Sequence, residues 1–91
     1  MEIENKPSSA RDFVDKMCVK SDKYATSLSF IMCAYMNFCR EKDAVPSTTK
    51  KVARILQERG VRVIRGYKGQ YYCIELKGYK IGRELINNID V

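Results

Sequence analysis

"VRVIRGYKGQYYCIEL", Val61 to Leu76, is the stretch on which the fold turns. Two runs of β-branched and aromatic residues flank Gly66-Tyr67-Lys68-Gly69, and Tyr72, Ile74 and Leu76 alternate on one face of the second run. That pattern predicts a β-hairpin with a basic tip. Gly66 and Gly69 suit a tight turn because glycine accepts positive φ. The chain upstream of the hairpin has helical spacing instead.

Immediately before it, "STTKKVARILQERG", Ser47 to Gly60, reads as a helix opened by Ser47 as N-cap and closed by Gly60 as a left-handed C′ residue. Val52, Ile55 and Leu56 point one way. At about 100° per residue, Lys50, Arg54 and Gln57 point nearly opposite, flanked by Lys51 and Glu58. In "DAVPS", Pro46 pushes Val45 toward an extended conformation and separates this helix from the one before. The earlier helix, in "TSLSFIMCAYMNFCREK", spaces Leu28, Ile31, Met32, Tyr35, Phe38 and Cys39 by threes and fours along one broad buried face.

Toward the N-terminus, "KPSSARDFVDKMCV" combines Pro7, a Ser9–Asp12 capping box and Phe13, Val14, Met17 and Cys18 at helical spacing, predicting a first helix over about 9–19. "KSDK" is a turn, and "YAT" fits a very short strand. In the tail, "YKIGRELINNIDV", the spacing of Ile81, Leu85, Ile86 and Ile89 allows a short amphipathic helix, which Gly82 weakens.

The predicted order is helix, scrap of strand, helix, helix, hairpin. The expectation is an α+β chain, mostly α, with a winged-helix fold: a three-helix helix-turn-helix core and a C-terminal β-hairpin wing. Residues 1–7 are expected to form a flexible N-terminus, 8–77 the domain and 78–91 a tail. A chain of 91 residues holds one small core and no second domain.

Charge is strongly uneven. Up to residue 46, seven bases balance seven acids; from 47 onward ten bases face four acids, so the whole net charge of +6 lies in the second half. A polyanionic partner would meet that half. Cys18, Cys33, Cys39 and Cys73 invite a disulfide or zinc reading, but no pair has C-x-x-C spacing and there is no histidine. Reduced, buried thiols are expected, in keeping with a reducing, cytosol-like compartment. No apolar run approaches membrane-spanning length, and "MEIENKP" is unlike a signal or transit peptide.

Catalysis finds little support. Histidine is missing, no phosphate-binding glycine loop occurs, and the acids form no cluster suited to Mg²⁺, so no cofactor or metal is expected. Nucleic-acid binding fares better. Lys50, Lys51 and Arg54 share their helix with Glu58, which can pair with Arg54 at i+4 as on any solvated face. Yet Lys50 and Lys51 sit near the positive end of the helix dipole, where helix stability prefers acids, and that placement suggests an anion supplied from outside.

The expected DNA-binding set is therefore Ser47 and Thr48 at the helix start, Lys50, Lys51, Arg54 and Gln57 on its outer face, and Arg65, Tyr67, Lys68 and Gln70 on the wing. Tyr67 has two readings: stacking on a sugar or base, or covering the hairpin's own apolar side.

Tyr35 to Cys39 ("Y-x-x-F-C"), a short polar linker, a Pro-Ser start, "VARILQERG" and a basic hairpin with "GQYY" together resemble the C-terminal winged-helix domain of phage, plasmid and poxvirus-type primase-helicases. The resemblance covers about residues 8–77. It implies a DNA-binding appendage of an ATP-driven superfamily 3 helicase, with helicase or primase domains of the same parent protein as neighbours. Lys50, Lys51 and Arg54 match the family's basic helix positions, and Lys68 and Gln70 its wing. Val52 and Ala53 stand where an aromatic and a glycine are usual, and Phe38 where tryptophan is frequent. Two other classes compete: a docking module contacting a partner through the tail, and a stand-alone transcriptional regulator. For the tail residues, packing back on the first helix is the simpler expectation.

Overall fold

A computed structural model describes residues 9–89. The expected flexible N-terminus at 1–7, with Pro7, and the last two tail residues lie outside the described residues. Three helices, α1 (Ser9–Met17), α2 (Leu28–Lys42) and α3 (Thr49–Glu58), pack with six short strands, β1 (Cys18–Lys20), β2 (Tyr24–Ser27), β3 (Val63–Gly66), β4 (Gly69–Tyr72), β5 (Ile74–Leu76) and β6 (Arg83–Leu85). The chain is an α+β protein with antiparallel sheets.

The core forms where the helical stripes predicted it. Ala10, Phe13 and Val14 of α1, Ile31, Ala34, Tyr35, Phe38 and Cys39 of α2, and Val52, Ile55 and Leu56 of α3 are buried with Tyr72, Ile74 and Leu76. Phe13 lies 5.2 Å from the Tyr35 ring and 5.5 Å from Phe38. Truncating such a residue typically costs about 3–5 kcal/mol.

Both α2 and α3 stop by the same device. Gly60, φ +79°, lets its N–H reach the Gln57 carbonyl and the Val61 N–H reach that of Leu56, a Schellman closure with Val61 packed into the core. In α2 the left-handed position is taken by Asp43, φ 55°, and Ala44 N–H donates to Cys39. Aspartate tolerates this region better than most residues.

The hairpin forms as read, with Gly66 opposite Gly69 and Tyr67-Lys68 as the turn. Of the two glycines only Gly69 takes positive φ, +133°. The second run, however, is two strands. At Cys73 the chain changes sheets: β4 pairs with β3 and β2 in a four-stranded sheet of order β3-β4-β2-β6, while β5 pairs with β1. Cys73 N–H donates to the Arg62 carbonyl, and Ser21 N–H to that of Cys73. The buried Thr26 hydroxyl donates to the Ile74 carbonyl at 2.8 Å and joins the two sheets.

Several expectations are corrected. The first helix ends at Met17 rather than 19, because Cys18-Val19-Lys20 pairs with β5. Ser9 closes no capping box; its hydroxyl is committed to Tyr35 and Val45. The scrap of strand at 24–26 is a central strand, flanked by β4 and β6. The thiols are free, but only Cys39 and Cys73 are buried; Cys33 is exposed on α2. Cys18 is half-buried, and burial pushes its thiol up to about 12, which keeps it protonated.

The tail is not an amphipathic helix and does not pack on α1. Arg83–Leu85 pairs along β2, a 3₁₀ turn follows at Ile86–Asn88, and Ile86 and Ile89 cover Ala25, Tyr71 and Cys73 on the sheet face away from the helices. Ile81 is 72% exposed, so the four isoleucine and leucine positions share no single face. None of the described helices is long and apolar enough to cross a membrane.

Gly82 fastens this tail. A Cβ there would sit 2.5 Å from the Phe30 ring, which is held edge-on by Tyr79 at 5.6 Å, and its φ is +81°. Gly78 has similar φ, +83°, with open space around it. Gly78→Ala should cost about 1–2 kcal/mol from left-handed strain alone, and Gly82→Ala distinctly more in urea denaturation. Equal losses would contradict the close packing.

Candidate nucleic-acid interface

The outer face of α3 follows from its inner one. With Val52, Ile55 and Leu56 buried, the helical period leaves Lys50, Lys51, Arg54 and Gln57 exposed. The N-cap is Thr48, not Ser47: Thr48 Oγ1 accepts from Lys51 N–H at 3.2 Å. Ser47 instead gives its backbone N–H to the Tyr35 hydroxyl at 2.7 Å. The expected cap at Ser47 is thus displaced by one residue, because Tyr35 holds the Ser47 backbone.

Hydrogen-bond bookkeeping fixes the direction of the network around Tyr35. Ser9 Oγ donates its one proton to the Val45 carbonyl at 3.0 Å, so Tyr35 donates to Ser9 at 2.7 Å while accepting from Ser47. The relay starts and ends on the α2–α3 linker, on either side of Pro46. It sets where α3 begins.

Acids near α3 are used on its other flank. Glu58 pairs with Arg11 of α1 at 3.3 Å, not with Arg54 as its i+4 spacing suggested. Arg59 pairs with Asp15 of α1 and holds that carboxyl below its usual range, chiefly through the hydrogen bond. Lys16 pairs with Asp12. Among the described residues, no carboxylate forms an ion pair with Lys50, Lys51 or Arg54, and the first turn of α3 contains no acid.

The hairpin tip comes near the start of α3. There, Lys68, Gly69 and Gln70 share a groove of about 410 Å³ with Thr49 at the start of α3 and with Ser27, Leu28, Ser29 and Met32 of the α2 start. Near the hairpin's base, Tyr72 is buried in one cluster with Val52, Ile55 and Leu56 of α3. Burial raises the pKa of its phenol, opposed by the nearby Gln57 side chain and by the charge of Arg65.

The structure thus brings Lys68 and Gln70 to the start of α3, and Arg65 to the neighbourhood of Gln57. Ser47 is half-buried, its backbone N–H held by Tyr35. Thr48 is exposed, though its oxygen serves as the cap. Tyr67 is 88% exposed, which removes the reading that it covers the hairpin's apolar side. Ser27, Ser29 and Thr49 were not singled out in the sequence. Ser27 is the N-cap of α2, its oxygen accepting from Phe30 N–H at 3.2 Å, and the S-x-x pattern before an apolar run was the available signal.

No family model matches this chain, nor does any curated protein or solved structure.

Tyr35→Phe should remove the relay and leave the Ser47 N–H without its partner. A loss of about 1–2 kcal/mol is expected in equilibrium unfolding, with the α2 Schellman closure intact. Unchanged stability would show that the hydroxyl does not position the linker.

Proposed function

We propose that this chain is a winged-helix DNA-binding module of a viral, phage or mobile-element replication protein of the primase-helicase kind. It grips duplex or fork DNA mainly through phosphates. The observation that carries the reading is the sorting of charge around α3: the acids are spent on Arg11, Lys16 and Arg59, leaving Lys50, Lys51 and Arg54 together on the exposed face. A merely solvated helix gains nothing from cations at its N-terminus, where the dipole opposes them.

The order of elements supports the fold half of the proposal. A strand precedes α2, α3 follows a short linker, and the hairpin pairs back onto that strand, giving the β3-β4-β2 neighbourhood of a helix-turn-helix with a wing. The family assignment rests on the resemblance in the 8–77 segment. In this reading α3 enters the major groove and the wing follows the adjacent backbone. Lys50, Lys51, Arg65 and Lys68 neutralise phosphates, Thr48 orients the helix start, and Arg54 and Gln57 reach base edges. The helicase and priming chemistry of such a protein would belong to other domains.

Two outcomes follow. With about four phosphates neutralised, log K should fall with log salt at a slope near −3.6; a salt-independent affinity would count against the phosphate mechanism. Lys50→Glu with Arg54→Glu should abolish binding in an anisotropy titration while shifting the melting temperature little, since both side chains are exposed. Retained affinity would move the interface off α3.

A further inference from the structure

On the other side of the wing lies a second recess, of about 90 Å³, lined by Tyr67, Lys68, Tyr71, Glu84, Asn88 and Ile89. Tyr67 overhangs it with a ring that is 88% exposed, at the tip of a two-residue turn. Its rim is polar. Tyr71 donates to Glu84 Oε2 at 3.3 Å, and burial and the nearby carboxylate both keep that phenol protonated. Glu84 therefore retains its second oxygen as an acceptor, and the Asn88 amide offers both a donor and an acceptor.

A flat aromatic face beside donors and acceptors suits a planar heteroaromatic ligand with a hydrogen-bonding edge. It does not suit a phosphate, which Glu84 would repel, nor an aliphatic chain, which would leave the polar rim unpaired. Lys68 lines this recess and also the groove at the start of α3. One cation thus stands between the face assigned to duplex and a place fit for a single base.

We infer that a nucleobase left unpaired at a fork or duplex end lodges in this recess, stacked on Tyr67, while Lys68 holds the phosphate joining it to the last paired nucleotide. The inference rests on the DNA-binding reading of α3 and adds a substrate preference to it. In continuous duplex a base must first be unpaired and unstacked to enter; at a fork that cost has already vanished. The wing then favours junctions over uninterrupted DNA.

The test compares the affinity of the chain for a fork and for a fully paired duplex of equal length at one salt concentration. Wild type should favour the fork by about tenfold, the scale of one base–aromatic stack. Tyr67→Ala should erase that preference by weakening fork binding more than duplex binding, Tyr67→Phe should keep it, and an abasic residue at the first unpaired position should erase it for wild type. Duplex binding without fork preference, or a preference that survives Tyr67→Ala or the abasic substitution, would overturn the inference alone. Binding to neither DNA would overturn the reading of α3 as well.

Discussion

The Tyr35 hydroxyl stands where the three helices meet. It donates to Ser9 at the start of α1, accepts from Ser47 before α3, and belongs itself to the middle of α2. Because the Ser9 proton continues to the Val45 carbonyl, the network closes around Pro46 and fixes both sides of the one linker that aims the basic helix. Apolar burial decides that the helices pack; Phe13 against Tyr35 and Phe38 shows how tightly. The polar relay decides at which residue α3 starts. Chains of hydrogen bonds of this kind strengthen one another in a low-dielectric setting.

From that start, the rest of the proposed interface follows by period and by charge sorting. The buried stripe of α3 leaves its cations outside, while Glu58 of α3 and Asp12 and Asp15 of α1 draw Arg11, Lys16 and Arg59 to the opposite flank. The hairpin is held alongside by its pairing with β2 and by Tyr72, whose phenol lies under the influence of both Gln57 and Arg65. The hairpin tip thus shares a groove with the start of α3, although nearly twenty residues separate Lys50 from Lys68 in the chain.

Much of this was legible in the sequence because it depends on local period. The buried faces of α2 and α3, the stop at Gly60 and the Tyr67-Lys68 turn all follow from spacings of three, four or two. What was not legible depends on distant partners. Ser47 reads as the cap until Tyr35 claims its backbone N–H. Glu58 is within i+4 reach of Arg54 yet pairs with Arg11, far away in the chain. The tail carried helical spacing, but "YYCIEL" is apolar on both faces of its strands, and the face of Tyr71 and Cys73 away from the helices needed a cover. Ile86 and Ile89 supply it, which requires β6 to pair with β2. An apolar run on both sides of a strand was the signal for two layers.

The central claim is that the outward stripe of α3 and the adjoining wing form one nucleic-acid surface. Backbone amide chemical-shift mapping with a short random-sequence duplex tests it most directly. The account predicts perturbations concentrated in 48–57 and 65–70, fading as salt rises, with α1 and β1 unaffected. Perturbations centred on α1 and β1, or none at low salt, would contradict it.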